Sequence, residues 1–333
     1  MKTIGMAIPW MLSLSIFMAA VTEMGAQTYD PLAVAPVFHP LHLDLTIHDA
    51  ERNRDIPIRV YLPTNTAPEP VVVFSHGLGG SREGNVFLGE HWASRGYVAV
   101  FIQHPGSDDS VWKNTPEPQR MQAMAQAANL DNFLLRVQDV PAVLDQLNVW
   151  NSSKSNSLAG RLDLGKVGMS GHSFGAVTTE AVSGETMPVG GQLFTDPRIR
   201  AAIAFSPSSP HQGGPERAFG NVKIPWMLMT GTKDTAPIGN TDLKSRLAVY
   251  PALHGAAKYE VVLYNAEHSA FTDRALPGDT EPRNPNHHRV MLALSTAFWD
   301  AYLRGNTNAL AWLNDDGPRS ILERADQWQF SAH

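Results

Sequence analysis

The feature that most constrains the fold of this chain is a short apolar run, beginning at residue 166, that leads into Gly171, His172, Ser173, Phe174 and Gly175. A G-x-S-x-G pattern between a buried strand and a helix is typical of a nucleophile elbow, a tight turn that lifts its serine above the sheet in a strained backbone conformation. The strand and the helix crowd the positions two before and two after the serine, and glycine at both positions fits that crowding. The pattern predicts Ser173 as a nucleophile at the positive end of the following helix. The alternative is an ordinary Gly-Ser turn before a helix.

A second apolar strand followed by a glycine-rich loop lies earlier in the chain. Residues 70–75 form an apolar, β-branched run, and the sequence H-G-L-G-G follows at residues 76–80. Acyl-transfer enzymes place a backbone donor of the oxyanion hole in such a loop. We therefore predict the backbone N–H groups of Leu78 and Phe174 as the two donors. A plain strand-to-helix turn and a phosphate loop are the alternatives, although the Gly-Lys-Ser/Thr of a Walker loop is missing and G-x-G-x-x-G is not matched.

Two further strand-and-loop units follow the elbow and supply an acid and a base. Asp234 comes after the apolar run at residues 225–230, and His268 comes after the run at residues 259–264. Parallel sheets build their sites at the carboxyl ends of the strands, so Ser173, Asp234 and His268 are expected to converge at one edge. His268 would then accept the serine proton, while Asp234 orients the imidazole and stabilises the imidazolium.

Several other side chains compete for these roles. Asp242 and Asp273 are the alternatives for the acid, and Glu267 is expected to be a solvated loop charge. Among the 13 histidines, His172 adjoins the nucleophile and is expected to point the wrong way to act as its base. The adjacent pair His287 and His288 resembles a metal site only weakly, because neighbouring residues on a helix face different directions.

The apolar runs are spaced as in an α/β protein. Leu41 to Ile47 and Ile56 to Leu62 alternate like an antiparallel hairpin, and the later short runs are separated by helix-length segments, which favours a mostly parallel sheet with helices on both faces. Residues 130–149 and 289–303 have helical periodicity, and Pro141 is expected to kink or break the first of them.

Four motifs taken together resemble an α/β-hydrolase: F-S-H-G-L-G-G-S-R at 74–82, G-H-S-F-G-A at 171–176, G-T-K-D at 231–234 and E-H-S-A-F at 267–271. With W-A-S-R-G-Y-V-A-V at 92–100, they are most similar to the platelet-activating-factor acetylhydrolase and dienelactone-hydrolase-like branch, over roughly residues 40–305. The resemblance implies a carboxylic ester hydrolase with Ser173, Asp234 and His268 as its triad and the Leu78 and Phe174 amides as its oxyanion hole. True dienelactone hydrolases use a cysteine nucleophile, and this chain has no cysteine, so the acyl substrate does not transfer.

Composition and the N-terminus narrow the classes further. The net charge of −6 without a basic stripe disfavours nucleic-acid binding. Residues 1–26 resemble a signal peptide, with Lys2 before an apolar stretch from Ile4 to Val21, so we predict a secreted or periplasmic protein with one α/β-hydrolase domain over residues 27–333. A retained membrane anchor is the alternative, weakened by Pro9.

Two long connections, residues 104–129 and 206–221, are candidates for substrate contact. Trp112 is a candidate for lining the substrate pocket, whereas Met121 and Met124 at helical spacing are expected to pack in the core. The predicted function is a carboxylic ester hydrolase for small-molecule or lipid-like esters with short acyl groups, needing no metal or organic cofactor. A lipase or polyester hydrolase, a peptidase and a perhydrolase with the same triad stay open, as does a non-catalytic ligand-binding homologue.

Overall fold

The computed structural model describes residue 1 and residues 29–34, 41–210, 212–239, 241–276 and 278–332. The predicted signal peptide lies outside these residues except for Met1, so export and the domain bounds stay predictions. Across the described ranges, no helix is both long and apolar enough to cross a membrane.

The described residues build one nine-stranded sheet in the order β1-β2-β4-β3-β5-β6-β7-β8-β9. Strands β3 to β8 pair in parallel, while β1 with β2, β2 with β4 and β8 with β9 are antiparallel. The predicted mostly parallel sheet and N-terminal hairpin are therefore confirmed, and the antiparallel β9 at the far edge is an addition. The strands are β1 (Leu41–Asp49), β2 (Arg54–Leu62), β3 (Glu69–Ser75), β4 (Val98–Ile102), β5 (Leu162–His172), β6 (Ile199–Phe205), β7 (Trp226–Lys233), β8 (Lys258–Glu267) and β9 (Gln327–Ser331).

Helices cover both faces of the sheet, as the spacing of the apolar runs predicts. One core layer joins the sheet to α1 and α9 through side chains such as Trp92 and Trp299, and a second joins it to α4 and α5 through side chains such as Val140 and Val182. The α-helices are α1 (Val86–Ser94), α2 (Ser110–Lys113), α3 (Glu117–Ala127), α4 (Leu130–Ser152), α5 (Phe174–Val182), α6 (Pro215–Phe219), α7 (Leu243–Leu247), α8 (Val249–Ala252), α9 (Pro285–Arg304) and α10 (Thr307–Asn314).

Helix α4 runs through Pro141 without interruption, so the predicted break there is wrong. A proline inside a helix removes one backbone hydrogen bond and crowds the carbonyl four residues before it. Apolar residues on both sides of it, Val137, Val140, Val143 and Leu144, are nevertheless buried in the same core layer. Packing of that face outweighs the local cost of the proline.

The two long connections contain helices of their own. Residues 104–129 hold α2 and α3, and residues 206–221 hold α6. Met121 on α3 is 53% exposed, so its predicted place in the core is wrong. The polar helix α3 lies on the protein surface, where only part of one face contacts the rest of the chain.

Candidate active site

Ser173 lies in the turn between β5 and α5, in the backbone conformation expected of a nucleophile elbow. Its φ of 57° and ψ of −116° fall in a region that side chains other than glycine rarely occupy. A Cβ on Gly171 would lie 2.2 Å from the carbonyl oxygen of Gly175, and one on Gly175 would lie 1.9 Å from that of Ser75. Both glycines are therefore required by close backbone contact, which holds the turn in its strained form.

The structure brings the three predicted polar residues together at the carboxyl ends of β5, β7 and β8. Ser173 Oγ is 2.8 Å from His268 Nε2, and His268 Nδ1 is 2.7 Å from Asp234 Oδ1. His268 begins a 3-10 helix directly after β8, and Asp234 follows β7. Ser173 can donate its proton to Nε2 while Nδ1–H donates to the carboxylate, which is the geometry that general-base catalysis requires.

A buried arginine contacts the same carboxylate oxygen of Asp234 as His268 does. Arg246 of α7 is 1% exposed, and its Nε lies 3.0 Å from Asp234 Oδ1 and donates to the Asp234 carbonyl at 2.7 Å. Thr230 Oγ1 donates to Asp234 Oδ2 at 2.9 Å. Burial raises the pKa of Asp234, but the hydrogen bond from His268 and the charges of His268 and Arg246 outweigh it and bring the pKa to about 2. Asp234 is therefore ionised at neutral pH.

His172 packs against the imidazole of His268. The two rings are 4.6 Å apart, and His172 Nε2 donates to the carbonyl oxygen of His268 at 3.1 Å. Burial and the neighbouring His268 lower the pKa of His172 well below its usual range, so this ring is neutral. His172 thus holds the backbone of His268 rather than facing the hydroxyl of Ser173.

The loop His76–Gly80, here called the oxyanion loop, lies against the elbow. A Cβ on Gly77 would come within 3.4 Å of Ser173 Cβ. In this loop Gly79 N–H donates to the Ser107 carbonyl and Gly80 N–H to the Gly77 carbonyl. By contrast, within the described ranges, the N–H groups of Leu78 and Phe174, the two predicted donors, have no backbone acceptor.

Two side chains from residues 104–129 cover the oxyanion loop. Trp112 Nε1 donates to the carbonyl of Gly79 at 2.7 Å. A Cβ on Gly79, whose φ is +70°, would lie 2.4 Å from Met124 Cε and 3.0 Å from Trp112 Cδ1. Trp112 and Met124 thus contact the loop that carries one of the predicted donors, and Met124 packs here rather than in the main core.

A second array of the same three residue types lies entirely in the interior, beneath the oxyanion loop. Ser75 Oγ is 2.9 Å from His104 Nε2, and His104 Nδ1 is 2.9 Å from Asp139 Oδ2. All three side chains are 0% exposed. Arg54 donates to both carboxylate oxygens of Asp139 at 2.8 and 2.9 Å.

Burial and hydrogen bonding determine the protonation states of His104 and Asp139 in this interior array. Burial, followed by the charge of Arg136, lowers the pKa of His104 to about 4. Burial raises the pKa of Asp139, but hydrogen bonds from His104 and Arg54 outweigh it and lower the pKa to about 2. At neutral pH the array therefore contains a neutral imidazole and an ionised carboxylate, and its serine has no access to a substrate.

The competing residues have other partners. Asp242 caps α7 by accepting from Ser245 N–H at 2.8 Å, and Asp273 accepts from Asn85 N–H. Glu267 is a partly solvent-exposed charge, as predicted, and it accepts from the backbone N–H groups of residues 280 and 281. Each of these carboxylates thus accepts hydrogen bonds from backbone N–H groups and not from the His268 ring.

The rings of the adjacent pair His287 and His288 each contact a backbone carbonyl. His287 Nε2 lies 3.1 Å from the Tyr264 carbonyl, and His288 Nε2 lies 3.0 Å from the Thr272 carbonyl. In the described part of the chain, no group of three or more His, Asp or Glu side chains has the arrangement of a metal site.

Sequence reasoning missed Arg246, Arg136 and the interior array. The sequence does contain one indication of Arg136. This arginine lies on the same buried face of α4 as Val137 and Val140. An arginine on an apolar helix face predicts a buried polar partner. Which partner it meets depends on elements distant in the sequence.

The sheet order, the crossover helices and the elbow at the end of β5 are those of the α/β-hydrolase fold. Residues 53–128 match the family model described as platelet-activating factor acetylhydrolase, isoform II. This match, over less than half of the chain, supports an enzyme of the serine hydrolase type. The matched segment includes β3, the oxyanion loop and Trp112 and ends before Ser173. Among the curated proteins, the search finds no significant match.

Proposed function

We propose that this chain is a carboxylic ester hydrolase that works through an acyl-enzyme on Ser173. The observation that carries the proposal is the continuous contact from Ser173 Oγ to His268 Nε2, at 2.8 Å, and from His268 Nδ1 to Asp234, at 2.7 Å. A serine hydroxyl becomes a competent nucleophile when such a base removes its proton as the bond to carbon forms.

The reaction then proceeds in two halves. Ser173 Oγ attacks the ester carbonyl carbon and transfers its proton to His268 Nε2, while Leu78 and Phe174 N–H groups bind the oxyanion that forms. When the tetrahedral adduct collapses, the C–O bond to the alcohol breaks, and His268 returns the proton to the departing oxygen. A water molecule next attacks the acyl-serine with His268 as its base, and the second collapse releases the carboxylic acid and restores Ser173.

Labelling with a fluorophosphonate tests the assignment of the nucleophile. The phosphonyl group should attach to Ser173 in proportion to the loss of p-nitrophenyl acetate hydrolysis, with the S173A variant as the unreactive control. Labelling at another serine, or hydrolysis without any labelling, would show that the nucleophile lies elsewhere. A non-catalytic homologue would neither label nor hydrolyse.

We further propose that the site prefers short acyl groups. Trp112 and Met124 pack directly on Gly79 of the oxyanion loop, which supports a confined space beside that loop. Each methylene that fits an apolar pocket gains at most about 0.8 kcal/mol, so a closed pocket produces a cut-off in chain length rather than a steady rise.

The length preference is measured as kcat/KM for p-nitrophenyl esters with acyl chains of two to sixteen carbons. We expect acetyl to butyryl esters to react fastest, and M124A to extend the range toward longer chains by removing a side chain at the loop. M121A is the matched control, because Met121 lies on the same helix but is half exposed. A maximum at ten or more carbons in the unmodified protein would instead indicate a lipase.

A further inference from the structure

Arg136 is a fully buried arginine whose hydrogen bonds all go to neutral oxygen atoms. It is 0% exposed on α4, and its Nε donates to Thr178 Oγ1 at 3.0 Å while Nη1 donates to Ser107 Oγ at 2.9 Å. Its Nη2 donates to Ser75 Oγ at 3.0 Å and also to the carbonyl oxygen of His76. In the described ranges no carboxylate lies within ion-pair distance of this guanidinium.

The partners of Arg136 belong to the two segments that carry the proposed oxyanion donors. On one side the guanidinium carbon lies 4.6 Å from the centre of the Phe174 ring, and Thr178 is one turn further along the same helix. On the other side the His76 carbonyl is two residues before Leu78 in the oxyanion loop. A single side chain thus connects the residue of one donor with the loop of the other.

The guanidinium is itself held in a fixed orientation. Ser75, which accepts from Arg136, can donate to His104, and His104 can donate to Asp139. Burial lowers the pKa of Arg136 to about 9, so the group is still charged at neutral pH. The planar fork of an arginine binds several acceptors at set angles, and a lysine could meet only part of this set.

We propose that Arg136 is a positioning residue for the oxyanion hole, which fixes the spacing between the Leu78 and Phe174 amides through its contacts with His76, Phe174 and Thr178. This proposal rests on the ester-hydrolase function proposed above. Oxyanion donors act only when they meet the developing charge at hydrogen-bond distance, so a change in their spacing raises the barrier without removing the nucleophile or its base.

The test compares R136M with R54M after fluorophosphonate titration of the reactive serine in each preparation. Arg54 binds the same interior array through Asp139 and the Pro105 carbonyl, without contacting the oxyanion loop or α5. In R136M we expect kcat per titrated site to fall about 10²-fold, near the lower end of the loss known for a missing oxyanion donor, with KM changed less than about threefold. R54M should lose less than about tenfold in kcat per titrated site.

A trifluoromethyl ketone inhibitor provides a second measurement, because its serine adduct carries an oxyanion in the same position. Its inhibition constant should rise in R136M in parallel with the loss of kcat/KM and should change little in R54M. A purely structural role would lower only the titrated fraction, so an unchanged kcat per titrated site in R136M would overturn the proposal.

If R136M yields no folded protein, R136K provides the same test, because the ammonium group of lysine cannot make all four hydrogen bonds of the guanidinium. A kcat per titrated site equal to that of the unmodified protein would then overturn the positioning role. Failure of the unmodified protein to label at Ser173 would instead reject the proposed function.

Discussion

Two Ser-His-Asp arrays of nearly equal geometry occur in this protein, and the difference between them lies in their surroundings. The array at the surface has distances of 2.8 and 2.7 Å, from Ser173 to His268 and from His268 to Asp234. The interior array has 2.9 Å for both corresponding distances. Each carboxylate also pairs with arginine, with Arg246 in the first array and with both Arg52 and Arg54 in the second.

The serines separate the two arrays. Ser173 is partly exposed and held at positive φ, and it adjoins Phe174, whose N–H has no backbone acceptor in the part of the chain that the structure describes. Ser75 is completely buried at the end of β3, and its oxygen already accepts a hydrogen bond from Arg136. Hydrogen-bond distances alone therefore do not identify an active site. Access, backbone conformation and amide donors at the reacting position are the distinguishing features.

The largest difference is expected from removing the two serines. S173A should lower kcat by about 10⁶, as loss of the nucleophile does in enzymes with a Ser-His-Asp triad. S75A should keep kcat/KM within about tenfold and lose about 1–3 kcal/mol of stability, because it leaves buried hydrogen-bonding groups without a partner. Kinetics and urea unfolding of both purified variants check this. More than a few per cent of the original activity in folded S173A would contradict the assignment.

A smaller but still large difference is expected from the two acids. D234N should lower kcat by about 10⁴, because the amide cannot stabilise the imidazolium and favours the wrong tautomer. D139N should act mainly on the free energy of unfolding, with a loss of about 3–5 kcal/mol, since it leaves the charge of Arg54 without its buried partner. The two roles would be indistinguishable if D139N also lost three or more orders of magnitude in kcat per titrated site.

The smallest effect concerns the pH dependence of stability through His104. In the unfolded chain a histidine takes up a proton below about pH 6.5, whereas the folded pKa of His104 is about 4. Its contribution to stability is therefore complete above pH 6.5 and is lost as the pH falls toward 4. H104Q should reduce the difference in unfolding free energy between pH 7 and pH 5 by about 2 kcal/mol.

S107A is the matched control for this measurement, because Ser107 Oγ donates to the carbonyl oxygen of His104 and not to its imidazole. It should lower stability by a similar amount at pH 7 and pH 5. Other buried histidines, such as His76 and His172, also have a pKa well below the usual range, so only the change between variants reports on His104. Equal pH slopes for H104Q and the unmodified protein would show that His104 does not contribute.

Much of the fold could be predicted from local patterns in the sequence. The apolar runs predict the parallel strands and the N-terminal hairpin, because strand length and alternation are properties of neighbouring residues. The β9 strand was missed since it pairs at the sheet edge with only five residues. The break at Pro141 was a wrong prediction because core packing on both sides of the proline is not a local property.

The sequence by itself determined which residues stand at the ends of consecutive strands, and so which of them could meet. Gly171, Ser173 and Gly175 form a local motif, and the order Ser173, Asp234, His268 follows the order of the strands. The partners of the buried charges follow from tertiary structure alone. Arg246 contacts His268, which is 22 residues away in the sequence, and Arg136 contacts Ser75, which is 61 residues away. A buried polar group needs a hydrogen-bond partner. Which group becomes the partner depends on how the helices pack against the sheet, and no local sequence pattern encodes that packing.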